Sequence, residues 1–220
     1  MAASTPAERR RHLALQAVAH LRATSPGLAA IIDQVGPHRP VLVRSPFLAL
    51  TISIIQQQIS MLAARAVYER LRDLCPGRRV RPEFVAELSP QRLRRAGLSR
   101  QKAAYIRGLA RAFAERRLTP ARLRRLSDED VIAAVTELHG VGRWTAEMLL
   151  MFCLERPDVW PVDDLGLRRA VERFVRSAGQ LSPRELRDIA EPWRPYRSYA
   201  AWYLWRFKEG ANGQPGVPVA

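Results

Sequence analysis

No stretch of this chain sustains the alternation of apolar and polar positions, with β-branched residues, that a half-buried strand requires. Ala, Leu and Arg dominate instead, and the pattern predicts an all-α protein. Residues 8–22 read as a first helix, followed by a looser segment with Gly27, Gly36, Pro37 and Pro40. The run 45–74 opens on Ser-Pro, a good helix start, and is predicted to hold two helices broken near Gln56–Ser60. A short helix spans 89–97 and stops at Gly97; a longer one covers 99–117. Residues 127–138 begin with a Ser-x-x-Asp cap signal. After a Gly-Val-Gly comes a helix over 143–154, then a loop ending in Asp163-Asp164, then a further helix. "SPRELRDIAEPW" and "RPYRSYAAWYLWRFKEG" close the fold, and the tail "ANGQPGVPVA" is predicted to fray. Chain order suggests two helical lobes: 1–44 with 160–220, and a central lobe over 45–159. No strand-rich segment precedes residue 45, so no mixed α/β domain is expected at the N-terminus.

The Gly-Val-Gly at 140–142 poses a problem, because helical sequence runs up to it and resumes at once. One reading is a tight helix–helix corner with no ligand. The other uses the absence of side chains on Gly140 and Gly142: the backbone can approach a partner closely, and the free N–H groups of the second helix face a phosphate. Arg143 would add charge, and Val141, Leu138 and Thr145 frame the turn.

Charge favours the second reading. Lys and Arg number 36 against 21 Asp and Glu, a net +15, and a domain this basic most often meets a polyanion such as nucleic acid. Only Lys102 and Lys208 are lysines. The two cysteines, Cys75 and Cys153, lie far apart with no partner at metal-ligand spacing, which excludes a zinc site or a four-cysteine iron–sulfur cluster. Nothing is long and apolar enough to span a bilayer, no secretory signal is expected from the first residues, and a cytoplasmic location is expected.

Asp163 and Asp164 precede a helical run, where one carboxylate would cap the helix. A carboxylate there, favoured as the anion by the helix dipole, could also stabilise a cationic sugar or orient an attacking water. Tyr196, Tyr199, Trp202, Tyr203, Trp205 and Phe207 crowd the last helix. Core packing accounts for most of them, but an electron-rich face also attracts a cation. Gln56, Gln57 and Gln58 interrupt an apolar run and read first as a polar helix end; His139 receives no catalytic role.

Taken together, "LHGVGRWTAEMLL", "VWPVDDLGLRRAV", "SIIQQQIS" and "PWRPYRSYAAWYLWR" resemble the helix-hairpin-helix DNA glycosylase superfamily, in its alkylation-repair branch of 3-methyladenine DNA glycosylase II type. The resemblance covers about 45–208. It implies two helical lobes with the active site in the cleft between them. It implies Asp164 as the catalytic carboxylate, because Asp164, Leu167 and Arg169 fit the superfamily's Asp-x-x-apolar-x-Arg, with Asp163 supporting. Trp144, Met148 and Trp205 fall at base-pocket positions, Met148 in place of an aromatic found in some relatives. Gln58 falls where relatives fill the gap left by an extruded nucleotide, with Gln57 beside it. The hairpin carbonyls of Thr136, Leu138 and Val141 would hold a monovalent cation, Na+ or K+; no organic cofactor is implied. Trp144 stands where bifunctional relatives carry a lysine, so a monofunctional enzyme without AP-lyase activity follows. The expected substrate is damaged double-stranded DNA carrying 3-methyladenine or 7-methylguanine, bound by a monomer. The competing readings are a non-catalytic hairpin module that grips DNA, and a glycosylase for oxidised or mismatched bases.

Overall fold

The computed structural model describes residues 5–209, so the tail "ANGQPGVPVA" lies outside the described residues. Among them are thirteen α-helices, two single 3-10 turns and no strand. In chain order the helices are α1 (Pro6–Thr24), α2 (Pro26–Val35), α3 (Pro46–Gln56), α4 (Met61–Asp73), α5 (Pro82–Glu87), α6 (Pro90–Arg95) and α7 (Arg100–Ala114). They continue with α8 (Pro120–Arg125), α9 (Asp128–Thr136), α10 (Arg143–Phe152), α11 (Leu165–Phe174), α12 (Pro183–Ala190) and α13 (Arg197–Glu209). No described helix is long and apolar enough to cross a membrane.

One start signal recurs. Thr5-Pro6, Ser25-Pro26, Ser45-Pro46, Ser89-Pro90, Thr119-Pro120 and Ser182-Pro183 each place a hydroxyl that accepts a first-turn N–H, followed by a proline already at helical φ. The segment after the first helix is therefore more ordered than its glycines suggested. Ser25 starts α2, Gly27 sits in its first turn, and a Cβ there would meet the Phe174 ring at 2.8 Å. Gly27 makes room for an aromatic edge.

The described residues divide into two compact units: those up to Pro40 together with those from Arg156 to Glu209, and Val41–Glu155. The joints at 40/41 and 155/156 lie four residues before the 44/45 and 159/160 expected from chain order, and hydrogen bonds account for this. The Val43 N–H donates to the Phe152 carbonyl at 2.9 Å, holding the chain before α3 to the end of α10. Beyond Arg156, the Ser198 hydroxyl donates to the Arg156 carbonyl (2.7 Å) and accepts from the Val159 N–H (2.9 Å), and the Ser198 N–H donates to the Pro157 carbonyl (3.0 Å). These bonds assign 156–160 to the unit of α13.

In the central unit α3 is buried from Pro46 to Ile55 except for half-buried Leu48, as befits a helix apolar nearly all round. Its two interior hydroxyls bond back to the helix, Thr51 to the Phe47 carbonyl (2.8 Å) and Ser53 to that of Ala49 (3.0 Å), so neither is left unsatisfied. α10 and α7 pack against it. In the terminal unit α13 is the centre: Tyr203 is fully buried, and its hydroxyl donates to the Gly36 carbonyl at 3.2 Å. His38, in the strap after α2, lies 4.4 Å from the Tyr199 ring and 4.7 Å from that of Trp202.

Burial holds His38 neutral, its pKa lowered from 6.5 to about 3. The depressed native value gives the sign. The full stability contribution is present above pH 6.5 and is lost progressively as pH falls toward 3, since only the unfolded chain then takes up the proton. At pH 5 the loss should be about 2 kcal/mol. Urea unfolding at pH 7 and pH 5 checks this: His38→Phe, which cannot titrate, should lose measurably less than the wild type.

Candidate functional site

Two groups of residues carry chemistry, one in each unit. In the central unit α9 ends at Thr136, the Val141 N–H donates to the Leu138 carbonyl at 3.1 Å, and α10 begins at Arg143. The two glycines have different reasons. Gly140 has φ +84°, and a Cβ there would fall inside the Tyr105 ring. It is glycine because of the protein's own packing. Gly142 has φ −93° and nothing within 4 Å of its Cβ position. It supplies no side-chain cap to α10, unlike the Ser, Thr and Asp caps of most other helices here. An uncapped helix start with open space in front of it suits an anion.

Several residues expected at the DNA interface also bond within the protein. The Arg143 guanidinium donates to Glu129 (2.5 and 3.0 Å) and to Glu147 (3.2 Å). That pairing lowers the pKa of Glu129 and raises that of Arg143, so both stay ionised and the guanidinium is engaged within the protein. Thr145 is buried, and its hydroxyl accepts from Gln57 Nε2 at 3.2 Å. The same Nε2 donates to the Gly140 carbonyl at 3.0 Å, so Gln57 braces the hairpin from below. Gln58, next along, is exposed with φ +59°. Trp144 is half-buried on the first turn of α10, and Met148, one turn on, is buried. The Thr136 hydroxyl donates to the Ile132 and Ala133 carbonyls, and the Leu138 carbonyl already accepts one N–H, which leaves it a second lone pair.

In the terminal unit the turn after Trp160 brings the Asp164 N–H to the Pro161 carbonyl (3.0 Å) and presents Asp164 as the N-cap of α11. Its Oδ1 accepts two bonds: from the Leu167 N–H at 2.5 Å and from the Trp205 indole N–H at 2.9 Å. Cap and candidate catalyst are thus one residue. Asp163 is exposed on the turn. Trp205, expected only as a pocket wall, also orients the carboxylate.

Some contributors escaped the sequence. A Cβ on Gly166 would lie 3.0 Å from Asp164 Oδ1 and 3.5 Å from Trp205 Nε1, so a side chain there would crowd the bond between them. Asp158 takes the Arg197 guanidinium at 2.7 and 2.9 Å and that of Arg194 at 3.2 Å, fixing the loop that leads to Asp164 onto the start of α13. In the central unit the Lys102 ammonium donates to the carbonyls of Ile55 (2.8 Å) and Gln57 (2.6 Å). Its pKa is lowered by burial. Only its rarity had marked it in the sequence.

Comparison with known proteins shows the family and the fold. Residues 52–195 match the HhH-GPD superfamily base excision DNA repair protein family. A Schizosaccharomyces pombe protein named DNA-3-methyladenine glycosylase 1 is 31% identical over 172 residues, 76% of this chain and 75% of its own. The solved structure of the S. pombe 3-methyladenine DNA glycosylase Mag1 in complex with abasic DNA superposes with a TM-score of 0.83 at 29% identity, covering 91% of this chain and 100% of that one. That of a Bacillus halodurans DNA-3-methyladenine glycosidase gives 0.76 at 33% identity, covering 87% and 88%.

The contrast between the glycines is testable by stability alone. Gly140→Ala should cost about 2 kcal/mol or more, from a strained positive φ and a methyl forced into Tyr105. Gly142→Ala should change stability by no more than about 0.5 kcal/mol. Urea midpoints of the two variants decide it.

Proposed function

We propose that this chain, which belongs to the HhH-GPD superfamily of base excision DNA repair proteins, is a monofunctional DNA glycosylase. It removes alkylated purines, 3-methyladenine and 7-methylguanine among them, from duplex DNA. The observation that carries the reading is the Asp164 carboxylate, held by the first turn of α11 and the Trp205 indole. Support comes from the relatives named for 3-methyladenine release, and from the abasic DNA bound by one of them.

The chemistry follows from charge. An alkylated purine of this kind already carries a positive charge, so it leaves well once the glycosidic bond stretches. The bond's electron pair goes with the base, which departs neutral. Positive charge passes to the sugar, and a carboxylate fixed in advance stabilises it without reorganising. Water then adds its oxygen to the sugar carbon and gives up a proton, for which Asp164 is the acceptor. The base must leave the helical stack first, and an aromatic face such as Trp144 or Trp205 offers a cationic base a surface that needs no edge-specific hydrogen bonds.

The hairpin supplies the grip. Amides at the start of α10 receive a backbone phosphate, and Gly142 lets it come close. The carbonyls of Thr136, Leu138 and Val141 are the candidate ligands of a monovalent cation bridging to that phosphate. A lyase step needs an amine nucleophile. Lys102 is bound to two carbonyls beneath the 57–60 turn, and Trp144 occupies the position that the resemblance gives to the lyase lysine. The protein acts as a monomer in the cytoplasm on this reading.

Asp164→Asn keeps an oxygen for both donors and removes the charge. Base release from methylated duplex DNA, read by chromatography of the freed purines, should fall at least about 100-fold, with duplex affinity within about threefold of wild type. Gly142→Ala should do the reverse, weakening duplex binding several-fold. A wild type that binds DNA yet frees neither 3-methyladenine nor 7-methylguanine would sink the enzyme assignment and leave the non-catalytic module.

A further inference from the structure

The lysine that no catalytic step uses sits at a junction. The turn 57–60 leaves α3 with its last carbonyls unpaired by the helix, a place that favours a cation. Lys102 fills it, donating to the carbonyls of Ile55 and Gln57. Its own backbone is anchored, because Ser99 caps α7 by accepting the Lys102 N–H at 3.2 Å. Three residues on, the same face of α7 presents Tyr105, whose ring occupies the space that a Cβ on Gly140 would need. One turn of α7 therefore supports two separate surface features: the turn carrying exposed Gln58 and Ile59, and the Gly140–Gly142 hairpin. Those two features are also joined directly, through Gln57 Nε2 to the Gly140 carbonyl and the Thr145 hydroxyl. The connections close a triangle within the central unit.

We propose that Lys102, Tyr105 and Gln57 are positioning residues that hold the 57–60 turn at a fixed spacing from the hairpin before DNA arrives. The inference rests on the glycosylase reading above. A phosphate gripped at the hairpin and a nucleotide gap filled from the turn are two points on one DNA strand, with a separation set by the DNA. A frame already at that separation avoids ordering two mobile loops during binding. Its loss falls on recognition of the opened site, because attraction to an intact duplex needs only the hairpin and the overall positive charge.

The test compares two duplexes: one undamaged, the other carrying a tetrahydrofuran abasic analogue with 2-aminopurine beside it. Lys102→Met keeps the aliphatic stem and removes both donated bonds. The variant should bind the undamaged duplex within about twofold of wild type, lose tenfold or more in affinity for the abasic duplex, and give a weaker 2-aminopurine signal at saturation. A thermal melt reports whether it folds; should it not, Gln57→Ala, which cuts only the link to the hairpin, decides by the same ratio. Folded variants that keep the wild-type preference for the abasic duplex overturn the frame, as does an equal loss on both duplexes, which marks a merely structural role. A wild type with no such preference overturns the parent reading and the frame with it.

Discussion

A carboxylate at the head of a helix is ordinary; one that also takes an indole N–H from a helix forty residues away constrains the whole terminal unit. Asp164 Oδ1 can meet both Leu167 and Trp205 only if α11 and α13 pack closely there, and Gly166 is the position that permits it. The loop before Asp164 must also arrive at the right height. The bidentate Asp158–Arg197 pair and the Ser198 bonds set that height, by fastening 156–160 to the start of α13. One helix thus holds both ends of the approach to the carboxylate: its first turn grips the loop, and its third supplies the indole. The burial of α13 from Ser198 to Trp205 keeps these two points in register.

The central unit solves a parallel problem with opposite means. There the groups proposed to grip phosphate are backbone amides, which cannot be aimed by rotating a side chain and must be placed by the fold. Gly140 at φ +84°, seated on Tyr105, turns the chain; Gln57 fastens the turn; α10 then starts without a side-chain cap. The rigidity lies beneath the surface and the openness at Gly142.

Much of this was legible in the sequence. The helices announced by Ser-Pro or Thr-Pro were readable from that pair, and α2 and α8 carry it too, at Ser25-Pro26 and Thr119-Pro120. At these two the signal is masked by Gly27 and by the arginine-rich 120–125. Asp164 rather than Asp163 was what the resemblance implied, through its spacing to Leu167 and Arg169, and Asp164 is the one that caps α11. What could not be read was any property fixed by contact across long separations. Nothing local says that Gln57 reaches residue 140, that Lys102 reaches residue 55, or that Tyr105 explains Gly140. The same holds for the bonds of Gln57, Thr145 and Arg143: residue type and neighbourhood place them near the hairpin, but not the protein groups they meet there.

The case of Arg143 bears on how a chain of net charge +15 meets a polyanion. The arginine that opens α10 beside the hairpin is held by Glu129 and Glu147, so its guanidinium is already shared with two carboxylates. Attraction over distance must come from the many other arginines, acting together and weakened by salt. On the glycosylase reading proposed above, register on the strand comes from uncharged amides and the dipole of α10, which act only at contact. Separating the two has a physical advantage for a protein that must inspect many sites. A strong cation at the gripping turn would bind any phosphate tightly, whereas a neutral, exactingly placed turn binds well only where the backbone geometry fits.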